Sequence, residues 1–167
     1  MKPTMASPVY WLVALLLFGY TASAEPVPVK ESWSGDDSRV TEQSCFQLTT
    51  ETAWNEIWQQ HAKDVHQPAP IVDFNANIVL ALFDGQTINS RGIFASQPEG
   101  QPYDGKTFYV MPSGYQTAGF GERGGAVDVT PYGIFVLPRQ SKYRVMEGTP
   151  NLAGAPIPWN ERECIIK

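Results

Sequence analysis

ETAWNEIWQQHAK, residues 51 to 63, sets Trp54 and Trp58 four positions apart in a short polar segment. Together with Ile57, His61 and Val65 they recur at steps of three and four, the spacing of one face of an α-helix. Thr49 or Thr50 can cap its start by offering a side-chain oxygen to an orphan amide, and Pro68 and Pro70 stop it. Two readings compete: a ring platform open to a glycan, or the inward face of the helix. A covered Trp buries about 150–250 Å², a gross gain of about 4 to 6 kcal/mol at ~25 cal/mol per Å². A helix of about thirteen residues is marginal by itself. It needs its apolar face packed, so Trp54, Ile57 and Trp58 are expected in the core.

Outward from this segment the period changes. Ile78-Val79-Leu80-Ala81-Leu82-Phe83 is apolar at every position and ends at Asp84-Gly85, which predicts a central strand covered on both faces. Leu80 and Leu82, and Phe74 at the strand entry, are expected to join the core. Further strands are predicted at Gln43 to Leu48, Gly92 to Ser96, Thr107 to Met111 and Tyr132 to Leu137. One helix followed by several strands argues an α+β fold: a single domain whose mostly antiparallel sheet is packed by one amphipathic helix. No second helix is evident to make parallel crossovers.

Lys2, the apolar run Trp11 to Phe18 and Ala22-Ser23-Ala24 read as a secretory signal over residues 1–24. Residues 25–41, with Pro26, Pro28 and Gly35, read as an extended lead-in, and 42–167 as the domain, with an irregular proline-rich tail. Without Lys2, eleven basic residues stand against seventeen acidic ones, with no basic cluster. Nucleic acid is therefore not an expected partner, and no later segment is apolar enough to span a membrane. The expected location is the periplasm or the extracellular medium. There, Cys45 and Cys164 are expected to form one disulfide, two free thiols being the alternative. The bridge would pin the tail and close a loop of about 120 residues, nominally ~4 to 5 kcal/mol.

The local marks of catalysis are missing. His61 and His66, five apart, do not align on a helix face, and no H-E-x-x-H, G-x-S-x-G, S-x-x-K or C-x-x-C occurs, so no metal or other cofactor is expected. Gly119-Phe120-Gly121-Glu122-Arg123-Gly124 spells G-x-G-x-x-G, but an extended segment ending in Pro131 follows where a dinucleotide site needs a helix. Asp73, Asp84, Asp104 and Asp128 are candidate acids for a hydrolase; Asp84 and Asp104 precede glycine, which turn chemistry explains more simply.

W-x-x-x-W at Trp54 and Trp58, Pro70-Ile71-Val72-Asp73-Phe74, a strand ending in Gly85, Gly92 opening the next, and Thr130-Pro131-Tyr132 leading into Ile134 to Leu137 and Pro138 resemble the PrcB family. The likeness covers roughly Thr49 to Arg139. It implies a secreted or envelope domain, a non-catalytic companion of a secreted subtilisin-like protease complex, and transfers no catalytic residue. The chain departs from it in Ser90-Arg91-Gly92-Ile93, where relatives tend to show Gly-Gly-Tyr, and in lacking a lipobox cysteine. The first expectation is thus an accessory domain that binds another envelope or secreted protein through the loop bearing Tyr115, Phe120 and Arg123. A glycan-binding module using Tyr103, Tyr115 or Trp159 is the second. A hydrolase using distant carboxylates or His61 is the third.

Overall fold

The structure, a computed structural model, describes residues 25–64, 66–114, 127–149 and 155–167. The signal segment, Val65 and the loop carrying Tyr115, Phe120 and Arg123 fall outside these. In chain order come β1 (Glu31–Gly35), β2 (Gln43–Leu48), α1 (Glu51–His61), β3 (Asn77–Asp84), β4 (Thr87–Ile88), β5 (Ser90–Ala95), β6 (Thr107–Gly114), β7 (Asp128–Val129), β8 (Tyr132–Pro138), β9 (Arg144–Gly148), β10 (Trp159–Arg162) and β11 (Ile165–Ile166).

Three layers result. A five-stranded sheet in the order β1-β8-β3-β2-β11 lies between α1 and a four-stranded sheet in the order β10-β9-β6-β5, and β4 pairs with β7 as a small ribbon. Ladders are antiparallel except β11 on β2 and β9 on β6. The fold is α+β, as the sequence predicts.

β3 sits at the centre because both its faces are apolar. Ile78, Leu80 and Leu82 point between the sheets, where they meet Ile93, Phe108, Val110, Phe135, Leu137 and Val145. Val79, Ala81 and Phe83 point the other way, onto Trp54, Ile57 and Trp58 of α1. The alternation follows from the two-residue period of a strand, and it answers the tryptophan question: Trp54 is 1% and Trp58 5% exposed. Each indole N–H is satisfied, Trp54 Nε1 donating to Pro70 O at 2.8 Å and Trp58 Nε1 to Gln67 O at 3.1 Å. Phe74 is only partly buried, packed against the helix-side cluster.

α1 is capped by Thr50, whose hydroxyl accepts from Ala53 N at 3.2 Å. It stops at His61, well before Pro68. Ala62 is already extended, and the His61 carbonyl accepts from Arg39 N at 3.0 Å, so the segment between β1 and β2 takes over the helix end. Within the lead-in, β1 is an edge strand on β8 with Trp33 against the indole pair, at 6.2 Å from each ring. Beyond Pro158 the tail is regular, as β10 and β11.

The two sheets converge at both sides. At one, Gly92 (φ +125°) lies against β1, where a Cβ would stand 2.8 Å from Gly35 N, and a Cβ on Gly133 would stand 2.5 Å from Ile93 O. Only glycine permits that approach. At the other, Cys45 and Cys164 are disulfide-bonded, with 4.5 Å between Cα atoms.

Candidate functional site

Three of the four carboxylates considered for hydrolysis are engaged in local structure or ion pairing. Asp73 Oδ1 accepts from Asn75 N in the turn before β3. Asp104 accepts from Lys106 N, Thr107 N and the Thr107 hydroxyl before β6. Desolvation pushes the Asp104 carboxyl up, but those donors together outweigh it and hold it below the usual range. Asp84 does more than end a turn: its Oδ1 lies 2.6 Å from Arg162 Nη1. Asp128 lies exposed on β7.

Arg162 is a residue the sequence does not mark. On the inner face of β10, with only 8% of its side chain exposed, it pairs with Asp84 and with Glu147 at 2.8 Å, and donates to the carbonyls of Ser44 and Phe83. It bolts the four-stranded sheet onto β2 and β3 beside the disulfide. Gln47 acts similarly: its buried amide exchanges hydrogen bonds with the backbone of Tyr143, at 2.7 and 2.8 Å.

The helix end holds the one buried histidine among the described residues. His61 is 5% exposed, and its Nδ1 lies 3.0 Å from Ser38 Oγ, itself buried. Burial drives its pKa from 6.5 down to about 4, with Asp37 opposing. Its ring lies 4.1 Å from that of Tyr132 and 5.4 Å from that of Trp58. These rings, with Trp33, Asp37, Ala62, Lys63 and Gln67, line a cleft of about 240 Å³. At its rim Lys63 Nζ lies 2.9 Å from Asp37. A serine next to an imidazole invites a nucleophilic reading, but both are buried and the imidazole is too acidic to serve as a base near neutral pH.

The outer face of the four-stranded sheet is different in kind. Alternation turns Phe94, Tyr109, Met111, Met146 and Trp159 away from the interlayer core. The only helix among the described residues lies on the other sheet. Phe94 is 42% exposed, and Met111, Met146 and Trp159 are half-buried. Tyr103 and Trp159 flank Tyr109 edge to face, at 6.1 and 5.2 Å. The Tyr103 and Tyr109 hydroxyls donate to the carbonyls of Pro98 and Pro102. Rings crossed at 86° and 85° do not make the flat platform that would favour a glycan along the row.

The expected partner loop lies outside the described residues; the residues that flank it are described. Gly114 pairs with Ser90, the Ser90 hydroxyl donates to Ser113 O at 3.2 Å, and Asn89 bonds Val127 through both its N–H and its side chain. Ile88 and Val127, 55% and 57% exposed, stand at this base. No family model, curated protein or solved structure matches the chain.

Proposed function

We propose that the protein is an exported accessory domain, without a reactive centre of its own, that binds another envelope or secreted protein. The resemblance to PrcB-type subunits motivates this reading. The observation that supports it best is the outer sheet face, where Phe94, Met111, Met146 and Trp159 combine the aromatic and methionine side chains enriched at interface cores. Arg144 and Glu161, paired at 2.8 Å and half exposed, form part of a polar rim. The loop bearing Tyr115, Phe120 and Arg123 is the second contact of this reading; its base presents Ile88 and Val127. An export signal, a disulfide and the absence, among the described residues, of a helix able to cross a membrane are compatible with an envelope location.

The test is capture from envelope extract under mild crosslinking, identification by mass spectrometry, and reconstitution with the purified partner. Phe94→Glu and Met146→Glu are expected to abolish a stoichiometric complex while leaving the thermal transition in place. Phe120→Ala with Arg123→Ala is expected to weaken it. Retention of the complex by all three variants would sink this reading.

A further inference from the structure

We propose that the cleft at the C-terminal end of α1 is a binding site for a small alkylammonium group, held against Trp33, Trp58 and Tyr132 and by the carboxylate of Asp37. The inference is independent of the partner-binding face.

The lining supplies the chemistry. Trp33 and Trp58 meet at 72° with centroids 6.2 Å apart, Trp58 meets His61 at 68°, and His61 meets Tyr132 at 59°. These are edge-to-face packing contacts that hold the rings rigidly, and the half-buried rings of Trp33 and Tyr132 are the ones that offer most surface to the cleft. Each wall is fixed from behind. The Trp58 indole is tied to Gln67 O, and the Tyr132 ring lies against Gly35, where a Cβ would come within 2.8 Å of it. The negative faces of indole and phenol rings attract a cation most when water is excluded. A quaternary ammonium suits such a site better than a hydrated one, because it has no N–H to leave unsatisfied.

Charge points the same way. The Asp37 carboxylate acts on the groups of the cleft, favouring the imidazolium of His61 and disfavouring the phenolate of Tyr132, to which Asp36 also contributes. His61 nonetheless stays neutral near pH 7 because of its burial; besides Lys63, a permanent cation stands beside the cleft in Arg39, exposed, whose Nη1 donates to Ala62 O at 3.5 Å. At the rim Lys63 already places its ammonium 2.9 Å from Asp37, with 70% of its side chain exposed. It is a tethered competitor that can swing away without disturbing the fold. The volume, about 240 Å³, is below the roughly 300–1,000 Å³ of sites for larger ligands, so the cleft suits a head group.

The experiment titrates the purified protein with tetramethylammonium and choline at constant ionic strength, reading tryptophan emission, with neutral 3,3-dimethylbutanol as the isosteric control. Both cations are expected to saturate the signal and displace each other, and the neutral alcohol to bind about tenfold more weakly or worse. Asp37→Asn is expected to raise Kd by up to about fivefold, and Lys63→Gln to lower it by removing the competitor. Trp33→Leu is expected to remove binding. Should that variant fail to fold, the two exposed rim variants decide. Equal binding of the neutral alcohol, or a Kd indifferent to both rim substitutions, overturns the proposal. Sedimentation with phosphatidylcholine vesicles that choline displaces would assign the group to a lipid head. Choline binding without sedimentation would assign it to a soluble amine.

Discussion

Acid should loosen this protein through His61 before its carboxylates titrate. The folded pKa is depressed to about 4 from 6.5, so the unfolded chain takes up a proton first as pH falls. Stability from the neutral ring is complete above about pH 7 and is lost between 6.5 and 4. With 1.36 kcal/mol per pKa unit, the loss is about 1.4 kcal/mol by pH 5.5 and about 3 kcal/mol by pH 4. Because the ring borders the cleft beside Asp37, solvent screening makes these losses upper values. The assay is urea unfolding at pH 7.5 and 5.5, a window that spares the carboxylates, in a His66→Gln background so that His61 is the only histidine titrating. The parent is expected to lose up to about 1.4 kcal/mol more over this interval than its His61→Gln derivative. Equal slopes in the two proteins would refute the assignment. A parent that gains stability on acidification would show that Asp37, not desolvation, governs the ring.

Three further outcomes are expected. Trp54→Ala should cost about 3–5 kcal/mol in denaturant unfolding, since it empties the centre of the helix-side cluster; a loss under about 1 kcal/mol would mean that the ring is dispensable there. Arg162→Met should cost a similar amount, about 3–5 kcal/mol, by leaving Asp84 and Glu147 without their cation, and adding Asp84→Leu and Glu147→Leu should recover much of it. Replacing Cys45 and Cys164 together by serine should lower the unfolding free energy by up to about 5 kcal/mol, given the 119-residue separation, and reductant should then have no further effect on Tm.

The elements legible in the sequence share one property: their signal is local. The steps of three and four through Trp54, Ile57, Trp58 and His61 specify α1, because a helix repeats within its own few turns. The unbroken run Ile78 to Phe83 specifies a strand covered on both faces, and β2, β5, β6 and β8 are bounded by turn residues within a few positions of where they begin or end. A signal-like start and two cysteines predict the bridge that the structure contains.

What the sequence left open depends on residues far along the chain. Glu31 to Gly35 reads as an extended lead-in, and becomes a strand only because β8, about a hundred residues later, offers a free edge. Arg162 reads as one charge in a polar tail, and becomes an interlayer bolt only when the register of β10 turns it toward Asp84 and Glu147. His61 belongs visibly to the helix face, yet its neutrality and its place in an aromatic cleft come from Ser38, Tyr132 and Trp33, which no spacing rule connects to it. The helix and the central strands were determined by the sequence itself, through periodicity and local turn residues. Which polar groups are buried together, and which sheet face lies away from the helix, was decided only by the tertiary structure, because desolvation and charge pairing act between groups that are close in space and not along the chain.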